Sequence, residues 1–300
     1  MSHRTELPAA ALRGLAREAL AEDVGAGDAT TLAIVPPEAT AVAELKTRQA
    51  CTVAGMPLVQ AVFAELDPEV SVDVLKPDGS ECRAGTCLAV IRGRAQPILT
   101  GERTALNYLQ RLSGIATLTR QCVTALGPGR TKLLDTRKTT PGLRLLEKYA
   151  VSCGGGENHR FGLYDRILIK DNHLELARTL GPDAIARAVA ACRRAYPQLQ
   201  VELEVETLDQ VDEALDARVE FILLDNMSDD ELREAVQRRD RRNVPALIEA
   251  SGGITLARLP LIAATGVDFV SMGALTHSAP AVDIGLDCVP PAARYPQAAR

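Results

Sequence analysis

The chain has 300 residues, of which 46% are hydrophobic, 3% are aromatic and none is Trp, and its formal net charge is −5. This length allows two modest domains or one large barrel with an extension. The acidic balance gives no support to a nucleic-acid partner. No apolar run reaches the roughly 20 residues that span a bilayer, and the N-terminus lacks the apolar core of a signal peptide. We therefore expect a cytoplasmic protein without a membrane partner.

The first third of the chain predicts an α+β module. An amphipathic helix over 7–21 is followed by Gly25 and Gly27, which break it. From 38 to 98, short strand-like segments are separated by turns with Gly and Pro, as in an open antiparallel sheet. Residues 101–126 return to a helical period, with apolar residues along one face.

Beyond residue 130, six short apolar runs each break abruptly into charged and polar residues. The runs lie in KLLDTRK (132–138), RILIKDNH (166–173), VELEVE (201–206), FILLDN (221–226), ALIEASGG (246–253) and FVSMG (269–273). Helix-like sequence is predicted between and after them, near 141–150, 174–195, 207–217, 228–239 and 255–265. The alternation predicts a parallel α/β barrel, TIM-like and incomplete, with catalytic groups at the carboxyl ends of its strands.

These patterns predict two domains. An N-terminal α+β domain, an open-sheet sandwich, would occupy 1–114. The α/β barrel would occupy 115–275. The tail over 276–300 is rich in Pro and Ala and lacks the barrel rhythm, so we expect it to pack back on the N-terminal domain. The seven Cys residues form no CxxC pair, which favours buried thiols over a zinc or disulfide framework.

Several cations fall at the predicted rim of the barrel. Arg137 and Lys138 follow one strand, His159 and Arg160 lie in the loop GGGENHR, and Lys170 ends the next strand. Two cations 4 Å apart repel by about 4 kcal/mol at an effective dielectric near 20, so such a cluster needs anions beside it. The predicted substrate is a polyanion that bears carboxylates or phosphates, which Arg can bind through two hydrogen bonds. A Schiff-base role for Lys138 or Lys170 is the alternative, and the flanking Arg and His favour an anion clamp.

Carboxylates accompany these cations. Glu202, Glu204 and Glu206 alternate along one strand and so share a face, and Asp225 closes the next strand. They could form ion pairs with the cations or bind Mg²⁺ on a phosphate substrate, and chemistry alone leaves both open.

Glycine turns follow the last two strands. Ser251, Gly252 and Gly253 come after one strand and Gly273 after the other, where barrels commonly bind phosphate. There is no GxGxxG after a strand and no GxxxxGK[ST], which excludes dinucleotide-binding and P-loop sites.

The motifs together resemble the quinolinate phosphoribosyltransferase (carboxylating nicotinate-nucleotide pyrophosphorylase) family. The resemblance extends from about 15 to 288 and is carried, in order, by ERTALNYLQRLSGIAT, DTRKTTPGLRLLEKYA, GGGENHR, KDNH, EVE, LLDNM, EASGGI and SMGALTHS. It implies that quinolinate and phosphoribosyl pyrophosphate are converted to nicotinate mononucleotide, pyrophosphate and CO₂, with Mg²⁺, in de novo NAD biosynthesis.

The resemblance also assigns roles to individual residues. The quinolinate carboxylates would be held by Arg137, His159, Arg160 and Lys170. Lys138 would contact the phosphoribosyl donor, and Glu204 and Asp225 would serve the Mg²⁺ and the ribose hydroxyls. The choice of Glu204 over its two neighbours rests on its spacing to Asp225. Phosphate would be bound by Ser251, Gly252, Gly253 and Gly273. Arg103 would reach the pocket of the neighbouring subunit and so require a homodimer, which could assemble further.

Two other functions compete with this one. A nicotinate-specific phosphoribosyltransferase on the same fold would not decarboxylate its substrate, and a single carboxylate would need fewer cations. A paralogue that has lost catalysis would bind a small anion only. Lys138, Glu204 and Asp225 argue against it, because a pure binder needs no donor site.

Overall fold

A computed structural model describes residues 7–179 and 181–289, and these residues divide into two compact units. The first unit contains the described residues up to Thr119, Leu145–Gly155, and the described residues from Ala279 onward. The second contains Arg120–Arg144 and Gly156–Ser278, apart from residue 180. Within the described ranges, no helix is long and apolar enough to cross a membrane.

The first unit is built on an antiparallel sheet. Its elements before residue 127 are α1 (Ala9–Val24), α2 (Ala29–Ile34), β1 (Thr40–Thr47), β2 (Cys51–Thr52), α3 (Met56–Leu66), β3 (Ser71–Val74), β4 (Glu81–Cys82), β5 (Cys87–Arg94) and α4 (Ala95–Leu126), the last of which continues into the second unit. The remaining elements, in chain order, are β6 (Lys132–Leu134), α5 (Arg144–Gly154), β7 (Ile167–Ile169), α6 (Asp171–Arg178), α7 (Ala184–Ala195), β8 (Val201–Val205), α8 (Leu208–Asp216), β9 (Phe221–Asp225), α9 (Asp229–Arg242), β10 (Leu247–Ser251), a 3₁₀ turn (Leu256–Arg258), α10 (Leu259–Ala263), β11 (Phe269–Ser271), α11 (Ala274–His277) and β12 (Ile284–Val289).

The four-stranded sheet has the order β12-β1-β5-β3 with antiparallel neighbours. Its last strand comes from the end of the chain, and Leu45 on β1 faces Leu286 on β12. Gly114 on α4 lies so close to this segment that an added Cβ would come within 2.0 Å of the Pro280 carbonyl oxygen. The prediction for 276–300 also covers residues 290–300, which lie outside the described residues, as do residues 1–6.

Helix α3 lies within the region 38–98, for which the sequence predicted only strands. Its buried face is apolar and consists of Leu58, Val59, Val62 and Phe63. The Asp78 carboxylate accepts hydrogen bonds from Gly55 N at 2.9 Å and Met56 N at 3.1 Å, which satisfies amide groups at the start of the helix. Because Pro57 occupies the first turn, the missing amide costs nothing there. Sequence periodicity gave only strand-like segments between 38 and 98 and did not identify this helix.

The second unit contains the six predicted parallel strands, in the order β6-β11-β10-β9-β8-β7. The α/β barrel-like fold is therefore confirmed, and the sheet is not closed, since β6 and β7 are its two edges. Glu157, in the loop before β7, makes one parallel bridge to Leu134 on β6. The central strands are buried on both faces and carry nearly continuous apolar residues such as Ile222, Leu224 and Ile248, as parallel strands do.

One predicted helix is two helices in the structure. The helical sequence over 174–195 is interrupted between α6 and α7, around Gly181 and Pro182. Gly181 has a φ of 125°, which is unfavourable for any residue with a Cβ. Proline then removes an amide donor, so a continuous helix through this point is not possible without strain.

Candidate active site

The carboxyl ends of the parallel strands surround a cavity of about 400 Å³ in the second unit. Such a position is where parallel α/β folds place their ligands. The predicted residues that line it are Arg137, Lys138, His159, Arg160, Lys170, Glu204, Asp225 and Ser251. The structure therefore brings together eight residues that the sequence analysis selected from six different segments.

Asp135 joins the end of β6 to the glycine-rich loop. Its buried carboxylate accepts hydrogen bonds from Asn158 Nδ2 at 2.7 Å and from His159 N at 2.8 Å. Arg137 lies two residues beyond this carboxylate and Arg160 one residue beyond His159. Asp135 thereby holds the two guanidinium-bearing segments on one side of the cavity.

The guanidinium groups of Arg137 and Arg160 are partly or largely buried at the cavity. Arg160 is 8% exposed, and its Nη1 donates to the Arg166 carbonyl oxygen at 3.0 Å. Burial, together with the nearby charge of Arg137, lowers the pKa of Arg160. The Nε of Arg137 is also buried and has no hydrogen-bond partner within the part of the chain that the structure describes. An anion between these side chains would relieve both the repulsion and the unsatisfied donor.

Lys170 ends β7 and reaches β8. Its Nζ lies 2.7 Å from Glu204 Oε2, and its backbone amide donates to His173 Nδ1 at 2.9 Å. Of the three glutamates around β8, Glu204 is the one that lines the cavity. Glu202 is fully buried, and Glu206 lies beyond the strand end, exposed to solvent.

Glu204 and Asp225 place carboxylate groups at the ends of neighbouring strands. Strands β8 and β9 pair in parallel, and both carboxylates line the same cavity. Asp225 Oδ2 accepts a hydrogen bond from Asn226 Nδ2 at 2.8 Å. Two carboxylates that line one cavity are a donor set that suits Mg²⁺, so the residues present fit such an ion. Glu204 also forms the ion pair with Lys170, so both interpretations of these carboxylates agree with the geometry.

The glycine turns flank the cavity and do not themselves line it. Gly252 and Gly253 have φ values of 84° and 58°, and an added Cβ on Gly252 would lie 2.3 Å from Asn226 Oδ1. A Cβ on Gly273 would lie 2.7 Å from Lys138 Cδ. These glycines therefore allow β9, β10 and β11 to end close to one another and to Lys138.

A buried cluster lies at the floor of the cavity. His159 Nε2 is 3.1 Å from Glu202 Oε2 and 3.6 Å from Glu249 Oε2, and both glutamates are fully buried. Burial, reinforced by the charge of Glu202, raises the pKa of Glu249 to about 8. The pKa of Glu202 is lowered, because the hydrogen bond and the charge of His159, with that of Arg166, outweigh its burial.

Sequence reasoning did not single out every lining residue. It missed Thr136, Leu168, Leu223, Glu249 and Ser271, all of which line the cavity. Glu249 could have been noticed, because an ionisable residue between Ile248 and Ala250 breaks an otherwise apolar parallel strand.

Arg103 lies on α4 in the first unit and is exposed in the single chain. Its predicted contact with a neighbouring subunit stays a prediction.

The fold and the site define a class of enzyme: a barrel-like α/β enzyme with a cluster of cationic side chains at the carboxyl ends of its parallel strands. Residues 28–113 match the N-terminal domain of the quinolinate phosphoribosyl transferase family, and residues 115–287 match its C-terminal domain. The chain belongs to the quinolinate phosphoribosyl transferase family.

Individual relatives agree with this assignment. The chain is 42% identical over 280 residues to the nicotinate-nucleotide pyrophosphorylase [carboxylating] of Mycobacterium leprae, covering 92% of this chain and 97% of the relative. It is 39% identical over 291 residues to the mitochondrial quinolinate phosphoribosyltransferase [decarboxylating] 2b of Nicotiana tabacum, covering 92% and 81%. The structure of the nicotinate-nucleotide pyrophosphorylase from Francisella tularensis superposes with a TM-score of 0.88 at 37% identity, covering 96% of this chain and all of that one.

Proposed function

We propose that this chain transfers the phosphoribosyl group of phosphoribosyl pyrophosphate to quinolinate and releases pyrophosphate and CO₂, giving nicotinate mononucleotide. Family membership supports the reaction. The observation that assigns the reaction to this cavity is a group of three cations that line it: Arg137, Arg160 and Lys170. Quinolinate brings two carboxylates, and the Arg137 Nε is a buried donor ready for one of them. His159 is also predicted to bind a quinolinate carboxylate, and to do so its ring would have to give up the hydrogen bond of Nε2 to Glu202 or that of Nδ1 to the Arg160 amide.

The chemistry follows from the substrate. The pyridine nitrogen attacks the anomeric carbon while the bond to pyrophosphate breaks, so positive charge develops on the ribose. The ring nitrogen is now quaternary and withdraws electrons. When the bond to the adjacent carboxylate breaks, its electron pair is therefore stabilised at the ring carbon, which then takes up a proton as CO₂ leaves. Arg137, Arg160 and Lys170 would hold the ring in the orientation that both steps need.

The donor would occupy the other side of the cavity. Lys138 would contact the phosphoribosyl donor near the breaking bond, and Ser251 with the turns at Gly252, Gly253 and Gly273 would bind phosphate. Glu204 and Asp225 would hold Mg²⁺ and the ribose hydroxyls. The ion would supply charge neutralisation for the pyrophosphate group.

We further propose a homodimer in which Arg103 of each subunit enters the site of the other. Its exposed position on α4 supports this, because an exposed Arg is free to bind an anion elsewhere. Assembly beyond the dimer is left open. The expected cytoplasmic location rests on the sequence alone.

The test uses purified protein, Mg²⁺, phosphoribosyl pyrophosphate and quinolinate labelled in the carboxylate beside the ring nitrogen. Equal release of labelled CO₂ and nicotinate mononucleotide is expected. Turnover of nicotinate but not of quinolinate would assign the nicotinate-specific reaction instead. Neither product, with quinolinate still bound in calorimetry, would show a binding protein without catalysis.

A further inference from the structure

Two buried glutamates contact His159 at the floor of the cavity, and the proposed reaction gives neither of them a role. His159 Nε2 is 3.2 Å and 3.1 Å from the two carboxylate oxygens of Glu202 and 3.6 Å from Glu249 Oε2. Glu202 and Glu249 have no exposed side-chain surface, and His159 has 6%. Burying two carboxylates within reach of one another is unfavourable unless each is protonated or paired, so the arrangement needs a compensating function or partner.

The cluster also fixes the other side of the imidazole. His159 Nδ1 accepts a hydrogen bond from the backbone amide of Arg160 at 2.7 Å, which only an unprotonated nitrogen can do. When the ring carries a single proton, that proton therefore lies on Nε2 and points to Glu202. With both nitrogens engaged and the His159 amide bound to Asp135, the ring has no freedom to turn. Its orientation is transmitted directly to the backbone of Arg160.

Arg166 also contacts the cluster of His159, Glu202 and Glu249. Its Nη1 is 3.5 Å from Glu202 Oε2, and its guanidinium carbon lies 4.1 Å from the centre of the Phe221 ring. The Arg166 carbonyl oxygen accepts from Arg160 Nη1. The same residue thus contacts both the buried acids and the side chain of Arg160, so the buried cluster and the anion site are mechanically connected.

A divalent cation is the competing occupant, because His159, Glu202 and Glu249 each offer a ligand atom and these atoms lie within 4.8 Å of one another. The surrounding charge argues against it. Arg166 pairs with Glu202, and Arg160 is close enough to Glu202 for their charges to interact, so a cation here would be repelled by two guanidinium groups. The ring proton on Nε2 would also have to leave before a metal could bind there.

We propose that Glu202 and Glu249 are positioning residues that lock the His159 ring and thereby preform the Arg160 side of the quinolinate site. This inference rests on the proposed function, since it concerns the same substrate. Glu249 borders the cavity, but neither acid has exposed side-chain surface, so neither would contact the substrate directly. Their role is to set the geometry of one half of the cavity, the half that receives carboxylates.

The proposal predicts an effect on one substrate only. In the part of the chain that the structure describes, the cluster makes no hydrogen bond or ion pair with Lys138 or Asp225, which would bind the donor. Loss of the cluster should therefore raise the KM for quinolinate and leave the KM for phosphoribosyl pyrophosphate unchanged. A purely structural role would lower the melting temperature and alter both constants together.

The experiment compares Glu202→Gln, Glu249→Ala and the conservative Glu249→Gln with Asp268→Asn in the full chain. Asp268 is a matched control, because it is a buried acid that bonds Arg130, Arg239 and the Ile248 amide near the starts of β10 and β11, opposite to the cavity. Turnover of quinolinate by the wild type tests the proposed function separately. Given that turnover, we expect Glu202→Gln and Glu249→Ala to raise the quinolinate KM about tenfold, the loss expected for roughly one hydrogen bond to a charged group.

Two further results are expected. Glu249→Gln should keep the quinolinate KM within about threefold of the wild type, because the raised pKa of Glu249, about 8, leaves this carboxyl mostly protonated near pH 7 and an amide has a similar shape. Glu202→Gln differs because the pKa of Glu202 is lowered, so this variant removes a charge that pairs with Arg166. Asp268→Asn should lower the melting temperature without changing either KM. The proposal is overturned if quinolinate KM is unchanged in both disruptive variants, or if both KM values rise as stability falls. It is also overturned if the purified protein holds a stoichiometric divalent ion that Glu202→Gln removes.

Discussion

Arg137 and Arg160 show how two neighbouring cationic side chains indicate the charge of the predicted substrate. Two guanidinium groups close to one another, one of them 8% exposed, repel each other, and burial together with this repulsion lowers the pKa of Arg160. A bound anion would offset the electrostatic repulsion between the two guanidinium groups. A site of this kind would favour a substrate with two carboxylates, because a single carboxylate would leave a cation unpaired.

Replacement of Arg137 tests this assignment. Arg137→Ala should raise the quinolinate KM about 10- to 100-fold, since it removes charge-assisted hydrogen bonds worth about 1.5–3 kcal/mol. Steady-state kinetics would measure the change. Arg194→Ala on α7 is a suitable control, because Arg194 is exposed and outside the cavity. A quinolinate kcat/KM equal to that of the wild type would show that Arg137 does not bind the carboxylates.

Gly273 affects the donor side through Lys138. A Cβ at this position would lie 2.7 Å from Lys138 Cδ, while the backbone φ of −64° suits any residue. Gly273→Ala should therefore displace the lysine without unfolding the chain. We expect kcat/KM for phosphoribosyl pyrophosphate to fall about tenfold with little change in melting temperature.

Gly129→Ala is the matched control for that experiment. Its added Cβ would meet nothing within 4 Å, so neither activity nor stability should change. If Gly273→Ala is as active as Gly129→Ala, the position of Lys138 does not matter for the donor.

The secondary-structure elements differ in how far local sequence accounts for them. Helix α9 begins at a capping box in which the Ser228 hydroxyl accepts from Glu231 N and Glu231 Oε2 accepts from Ser228 N at 2.8 Å. Three acidic residues in its first turn and three Arg in its last complement the helix dipole. Local sequence is enough to define this helix. In α3, by contrast, the amides of the first turn depend on Asp78, about twenty residues later in the chain.

Loss of the α9 cap should be measurable. Ser228→Ala should lower the free energy of unfolding by about 1 kcal/mol, because it leaves helix amides without a partner. Denaturant unfolding would give the difference. Glu175→Ala, which breaks the exposed ion pair with Arg178, should cost less than about 0.5 kcal/mol. Equal losses in the two variants would show that the cap contributes no more than a surface ion pair.

At the scale of the whole molecule, the cavity is assembled from residues up to about 135 positions apart in the chain, from Thr136 to Ser271. Parallel pairing brings the strand ends together, and the charged side chains follow because each lies at or just beyond such an end. If Arg103 of each subunit enters the site of the other, as proposed, the site would combine residues that are distant in one chain with a residue from a second chain.

Mixing two inactive variants tests the shared site. Arg103→Ala and Lys138→Ala should each be inactive alone. After unfolding and refolding together, half of the dimers would be hybrids with one intact site each, which restores about a quarter of the wild-type activity. No recovery in the mixture, with hybrid dimers present by mass, would place Arg103 in its own subunit's site or in none.

The sequence by itself determined the six strands, the polar residues at their carboxyl ends and the family. These depend on local features: an apolar run, its abrupt end and the motif that follows. The spacing to Asp225 already favoured Glu204, which lines the cavity, but the tertiary structure alone decided that Glu202 is fully buried and that Glu249 joins His159 beside it. The glutamates at 202 and 204 look alike in sequence. Only the packing of neighbouring strands determines the depth at which each carboxylate lies, and depth decides whether it meets a substrate or another side chain.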